Sequence, residues 1–234
     1  MSETTTPAPS YSEFLLRRLH SLAGVVPLAV FIGFHFFANS FATRGAEGFN
    51  KIVDQLRGMP FVQAIEWGGL FAPFLFHMFY GMWIVFSGKP NLNTQTYARN
   101  WAYFLQRATA LVVFVFLLYH VISMKWFVIP EAKYPHGSDY YAVLRGHFGN
   151  PLVYWWYVFA VACTVYHLGN GMCTFFMTWG ITVGKTSQKW AAIAMVGLAV
   201  VLFAIAVAAL NGFVKGEAPA GKAAVAISAP APAR

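Results

Sequence analysis

FLLRRLHSLAGVVPLAVFIGFHFFANS, residues 14–40, opens on two arginines and a histidine and then stays apolar for longer than a soluble helix requires. From Leu19 to Phe41 the only ionisable side chains are His20 at the boundary and His35 deep inside. An arginine pair before an apolar run can also mark a secretory leader, whose apolar region is about 7–15 residues long. This run is longer and further runs follow it, so it is read as a retained helix of the roughly 20 residues that cross a bilayer.

The composition extends that reading to the whole chain. Of 234 residues, 58% are hydrophobic and 10% charged, and 18% are aromatic. Soluble domains carry about 25% charged residues, so lipid must be much of this protein's solvent. Four further apolar runs lie near 67–87, 103–128, 151–182 and 190–213. Backbone polar groups in hydrocarbon must pair within their own segment, and these runs are too long for barrel strands, so helices are expected. The fold class is an all-α integral membrane protein of five transmembrane helices. Pro27 and Pro73 should kink two of them. Residues 1–18 read as a polar N-terminal segment and 19–213 as the membrane domain. Residues 214–234 read as a flexible Ala/Pro-rich tail. No internal repeat is present.

Charge and cysteine content narrow the function classes. The net charge of +8 is scattered through the connecting segments. It suits lipid phosphates or acidic soluble subunits and gives nucleic acid no patch. Cys163 and Cys173 sit in one apolar run, which argues against a disulfide framework or a thiolate metal site. With the N-terminus inside, Arg17, Arg18, Lys89, Arg99, Arg107, Lys185 and Lys189 fall on the inner side. The outer segments hold more basic residues but are longer and hold most acids, so the short loops favour N-in.

The histidines carry the chemistry. His136 and His147 lie in the 129–150 connection and read as solvated. His35, His77, His120 and His167 each lie inside a separate apolar run. An ionisable group inside a membrane is costly and marks function, and almost no buried acid is available to pair with four of them. At about 1.5 Å rise per residue, His35 lies about 24 Å along its helix from Leu19, and His120 about 25 Å along its own from Tyr103. Both fall in the outer half. His77 sits near mid-depth, and His167, entering from the other side at Pro151, lies in the inner half. The depths give two pairs, His35 with His120 and His77 with His167. Two bis-histidine pairs suit two haems, each an apolar disc between helices with axial imidazoles. Zinc would want further donors at each pair. Gly24, Gly81, Gly169 and Gly171 can admit a porphyrin face. Arg17, Arg18, His20 and Ser21 are candidates to hold propionates near the surface.

The RRLHS box, with a second histidine 15 residues after its own, resembles the single-subunit dihaem cytochrome b anchor of succinate dehydrogenases and fumarate reductases. The resemblance covers roughly residues 13–213, and the other three histidines match in helix and order. It implies a four-helix bundle holding two haems b, plus a fifth, peripheral helix. The implied pairs are His77/His167 for the inner haem and His35/His120 for the outer. It also implies a bacterial cytoplasmic (inner) membrane location with the N-terminus cytoplasmic. Its partners would be a flavoprotein subunit with FAD and an iron–sulfur subunit. Electrons would pass between succinate, in the tricarboxylic acid cycle, and a membrane quinone. Some members carry a glutamate two residues before the fourth-helix ligand. Here that position is Val165, which argues against a proton route through it.

This chain has no Rossmann glycine box and no cluster-binding cysteine run, so dicarboxylate chemistry must lie on another subunit. Glu66 and His20 are the candidate quinone-site residues. The alternatives are a cytochrome b subunit of hydrogenase or formate dehydrogenase type, or a histidine-relay transporter. The transporter should show intramembrane acids and broken repeats, and neither is evident.

Overall fold

The computed structural model describes residues 10–88 and 97–216, so most of the 214–234 tail and the start of the N-terminal segment lie outside the described residues. There is no strand among the described residues. Five helical stretches are long and apolar enough to cross a bilayer: Tyr11–Arg57, Val62–Ser87, Ala98–Val128, Pro151–Thr178 and Lys185–Lys215. They are numbered one to five in that order. Spans one, three and five start at one end of the bundle, the near end, and finish at the far end.

Helix ends differ from the apolar limits for local reasons. Span one begins at Tyr11 because the Ser10 hydroxyl accepts the Glu13 N–H at 3.2 Å and caps it. Glu13 then pairs with Arg17 one turn on, at 2.8 Å. Span four ends at Thr178, short of residue 182. Gly180 turns left-handed at φ 71°, and the Ile181 N–H returns to the Phe176 carbonyl at 2.8 Å, a helix stop that favours glycine.

At the prolines expected to kink two spans, the helix changes its winding. Span one widens into a π turn at Gly24–Leu28, which contains Pro27. Span two does so at Ile65–Phe71, just before Pro73. Proline lacks an N–H and its ring crowds the carbonyl four residues back, and a wider turn relieves both conflicts. A third π turn, Ser123–Val128, ends span three.

Most of the tightly packed core lies at the far end. The Gly45–Arg57 and Tyr140–Phe148 helices fold over the bundle there. With Phe213 of span five they bury Phe49, Tyr140, Tyr141, Leu144 and Phe148. Asn50 ties the two helices together. Its amide donates to the Asp139 carboxylate at 2.9 Å, and its carbonyl accepts the Tyr141 N–H at 2.9 Å. Asp54 accepts the Gly137 N–H at 2.9 Å, and Arg57 donates to the Tyr134 carbonyl at 2.7 Å. The Tyr141 hydroxyl donates to the Gly212 carbonyl at 2.6 Å. Gly212 itself abuts the Ala42–Thr43 backbone so closely that a Cβ would lie 2.6 Å from the Ala42 carbonyl carbon. Only glycine lets span five approach there.

His147 belongs to this cap and is not the solvated loop residue its sequence position suggested. Its ring packs edge-on to Phe148 and Tyr157, and its Nε2 is buried without a hydrogen-bond partner. Burial disfavours the charged imidazolium and pulls its pKa below the ordinary 6.5. The neutral ring therefore contributes stability fully present above pH 6.5 and lost as pH falls below that value. Thermal unfolding of the wild type and of His147→Gln should show a constant difference above pH 6.5. That difference should shift against the wild type on acidification; a flat difference down to pH 5 would contradict the assignment.

Candidate functional site

Between spans one to four the bundle is not filled by its own side chains. A cavity of about 1690 Å³ runs through it, lined by apolar groups and by His20, His35, His77, His120 and His167. Ordinary ligand pockets are about 300–1000 Å³, so this space exceeds what one ligand of common size needs.

The histidines meet across the cavity in the two pairs read from depth. The His35 and His120 ring centroids are 5.8 Å apart, with planes at 79°. Those of His77 and His167 are 6.4 Å apart at 90°. Imidazoles bound through Nε2 to opposite faces of one metal ion, with bonds of about 2.0 Å, set their centroids about 6.3 Å apart. The His77–His167 pair matches that span, and the His35–His120 pair is about 0.5 Å shorter. No group of three or more His, Cys, Asp or Glu suited to a bare metal ion exists among the described residues. The donor set therefore fits a ligand that brings its own equatorial donors.

Three of the four rings are also oriented from behind. His77 Nδ1 lies 2.9 Å from the His20 carbonyl, and His167 Nδ1 3.2 Å from the Gln106 carbonyl. His120 Nδ1 lies 3.1 Å from the Tyr157 hydroxyl. The two carbonyls accept the Nδ1 protons of His77 and His167, and the Tyr157 hydroxyl engages Nδ1 of His120, the place outer partners take on metal-binding histidines. His35 instead neighbours the Asn39 amide, which donates to its carbonyl at 2.8 Å, and stacks on Phe31.

Glycines make the close approaches. A Cβ on Gly24 would lie 2.5 Å from His77 Cε1, and one on Gly81 2.9 Å from His20 Nε2. Gly171 faces the Gln106 amide. Gly169 serves another purpose, packing span four against the Met195 carbonyl of span five.

Residues 88–207 match the Succinate dehydrogenase/Fumarate reductase transmembrane subunit family. A Bacillus subtilis (strain 168) protein, "Succinate dehydrogenase cytochrome b558 subunit", is 36% identical over 177 residues, covering 76% of this chain and 85% of the relative. The chain belongs to this family. It is a multi-pass cytochrome b membrane subunit of succinate dehydrogenase/fumarate reductase.

At the near end of this cytochrome b subunit, the four residues read as propionate candidates all line the cavity. Their existing bonds sort them. Arg17 is paired with Glu13 and lies over Trp83. Arg18 donates to the Thr178 carbonyl and lies between Phe14 and Trp179. Ser21 accepts the Trp179 indole N–H at 3.1 Å. His20 stacks on His77 at 4.1 Å with planes 7° apart. Arg107, in sequence simply an inner-side charge, has a more specific place. Its guanidinium lies over Tyr103, donates to the Ile84 carbonyl at 3.3 Å, and keeps a buried Nε without a partner. It also lines the cavity.

At the far end, Glu66 and Lys125 pair at 3.2 Å at the cavity wall, each on a π turn. Lys125 also faces the Trp67 and Phe71 rings. Both side chains are more than one-third exposed, so the pair contributes little to stability, at most about 1 kcal/mol. Glu66→Gln should leave thermal unfolding nearly unchanged. A loss well above 1 kcal/mol would make the pair a structural element instead.

Proposed function

We propose that this cytochrome b subunit holds two haems b, a near-end one on His77 and His167 and a far-end one on His35 and His120. The observation that carries this is the pair of histidine couples spanning one cavity at bis-imidazole distance. When bound, each haem would supply a one-electron carrier between the two ends of the bundle. The protein's own residues do the rest. The His20 and Gln106 carbonyls fix the near-end imidazoles. Arg107, Arg17, Arg18 and Ser21 offer cations and hydroxyl groups to near-end propionates, with Arg107 the one whose Nε still lacks a partner. Apolar side chains along the cavity exclude water from the carriers.

The complex's other chemistry belongs elsewhere. The described cysteines, Cys163 and Cys173, both lie in span four and are free, too few thiolates for an iron–sulfur cluster, and we place that cluster and the FAD on partner subunits. The near end carries Arg17, Arg18, Arg99 and Lys185 and suits docking of an iron–sulfur subunit. We place it on the cytoplasmic side of a bacterial inner membrane, in keeping with the charge of its short loops. The chain then acts as a non-catalytic anchor, passing electrons between that subunit and a membrane quinone. Glu66, beside Lys125 on the cavity wall at the far end, is the quinone-site group we favour. His20 is engaged by His77 and serves the near-end couple.

Variants test the pairing. His35→Ala and His120→Ala should each remove the same haem from the dithionite-reduced spectrum of the purified complex, and His77→Ala and His167→Ala the other. If two members of one couple remove different haems, the assignment is wrong. Glu66→Gln should cut quinone-linked turnover about a hundredfold, the scale of a lost proton-transfer group. It should spare electron transfer from succinate to the haems. Unchanged quinone turnover would move the quinone site elsewhere.

A further inference from the structure

An imidazole bound to iron through Nε2 keeps a proton on Nδ1, and the acceptor of that proton tunes how strongly the ring donates electrons. At the near end both acceptors are main-chain carbonyls, from His20 at 2.9 Å and Gln106 at 3.2 Å. They come with the backbone, and no side-chain substitution removes them. At the far end His120 is different: its Nδ1 meets a side chain, the phenol oxygen of Tyr157, at 3.1 Å.

Tyr157 is built into place. It is 4% exposed in the far-end core. Phe148 meets its ring edge-on at 4.9 Å and 83°, and Phe116 at 5.1 Å and 89°. A buried tyrosine hydroxyl needs a polar partner. Here the partner is the His120 imidazole, while the Ser123 hydroxyl one turn beyond donates to the His120 carbonyl at 3.2 Å. Phe116 also stacks on the His120 ring at 5.5 Å and 27°. One clamp of span three and span four therefore holds both rings.

We propose that Tyr157 is the positioning residue of the far-end couple, its phenol oxygen accepting the His120 Nδ1–H and so setting both the aim and the basicity of that ligand. The inference rests on the haem assignment above. Accepting the proton raises electron density on the imidazole, which favours ferric over ferrous iron and lowers the far-end midpoint potential. Removing the oxygen should raise it.

The test is Tyr157→Phe, which keeps the ring and its edge contacts, in the purified complex titrated optically for both haems. The component that survives in His77→Ala identifies the far-end haem. The expected result is a positive shift of that component by about 59 mV, a tenfold change in a one-electron equilibrium, with the near-end component unmoved. Selective loss of the far-end haem, with the near-end one and the complex retained, would support the same bond, since the ligand ring would have lost its anchor. Tyr119→Phe, which removes a partly exposed neighbouring phenol 6.2 Å from the Tyr157 ring, should move neither component. Unchanged potentials in Tyr157→Phe, or equal shifts of both haems, overturn the proposal while leaving the haem assignment standing. A wild-type complex without haem overturns both.

Discussion

An imidazole sunk in hydrocarbon must be held by something that justifies its desolvation. Four such rings, one from each of four spans, set the architecture of this subunit. They cannot pair with acids, because the membrane-buried part of the bundle offers almost none. They face one another instead across a cavity that the protein's own atoms leave open. A bundle of this composition could have closed on itself with Phe and Leu. That it stays open where the histidines meet, while it packs tightly at the far-end cap and along spans four and five, is the constraint from which the rest follows.

The division of labour along the bundle axis reflects that constraint. Tight packing is displaced to the far-end cap, where Asn50, Asp54, Asp139 and the buried tyrosines lock two short helices over the spans. Span five packs against spans one and four through small residues, with Val161, Val165, Leu202 and Ala206 forming a second apolar cluster. Val165 belongs to that cluster and is 6% exposed. The π turns fall beside the chemistry, one between His20 and His35, another at Glu66 and a third at Lys125. They re-aim the helices at the points where side chains must reach the cavity.

Much of this was legible in the sequence, because lipid enforces simple rules. A span must be long and apolar, so the five helices declared themselves. Rise per residue converts position into depth, so the couples His35/His120 and His77/His167 followed from counting, and the rings meet as that count implied. The cap did not declare itself. Its helices, Gly45–Arg57 and Tyr140–Phe148, are short and sit in segments of mixed charge that read as connections. His147 was misread for the same reason. Tyr157 was hidden in YWWYVF, residues 154–159, where no spacing rule separates one aromatic from the next. Arg107 registered as charge alone, since only the folded cavity shows that its guanidinium faces inward with an unpaired nitrogen.

The account turns on what lies between the facing imidazoles. An experimental density map of the intact complex should show two flat discs in the bundle, one bridged by His77 and His167 and the other by His35 and His120, each with iron at its centre. Density in which these rings touch only protein or lipid, or in which the four histidines join in any other pairing, would contradict it.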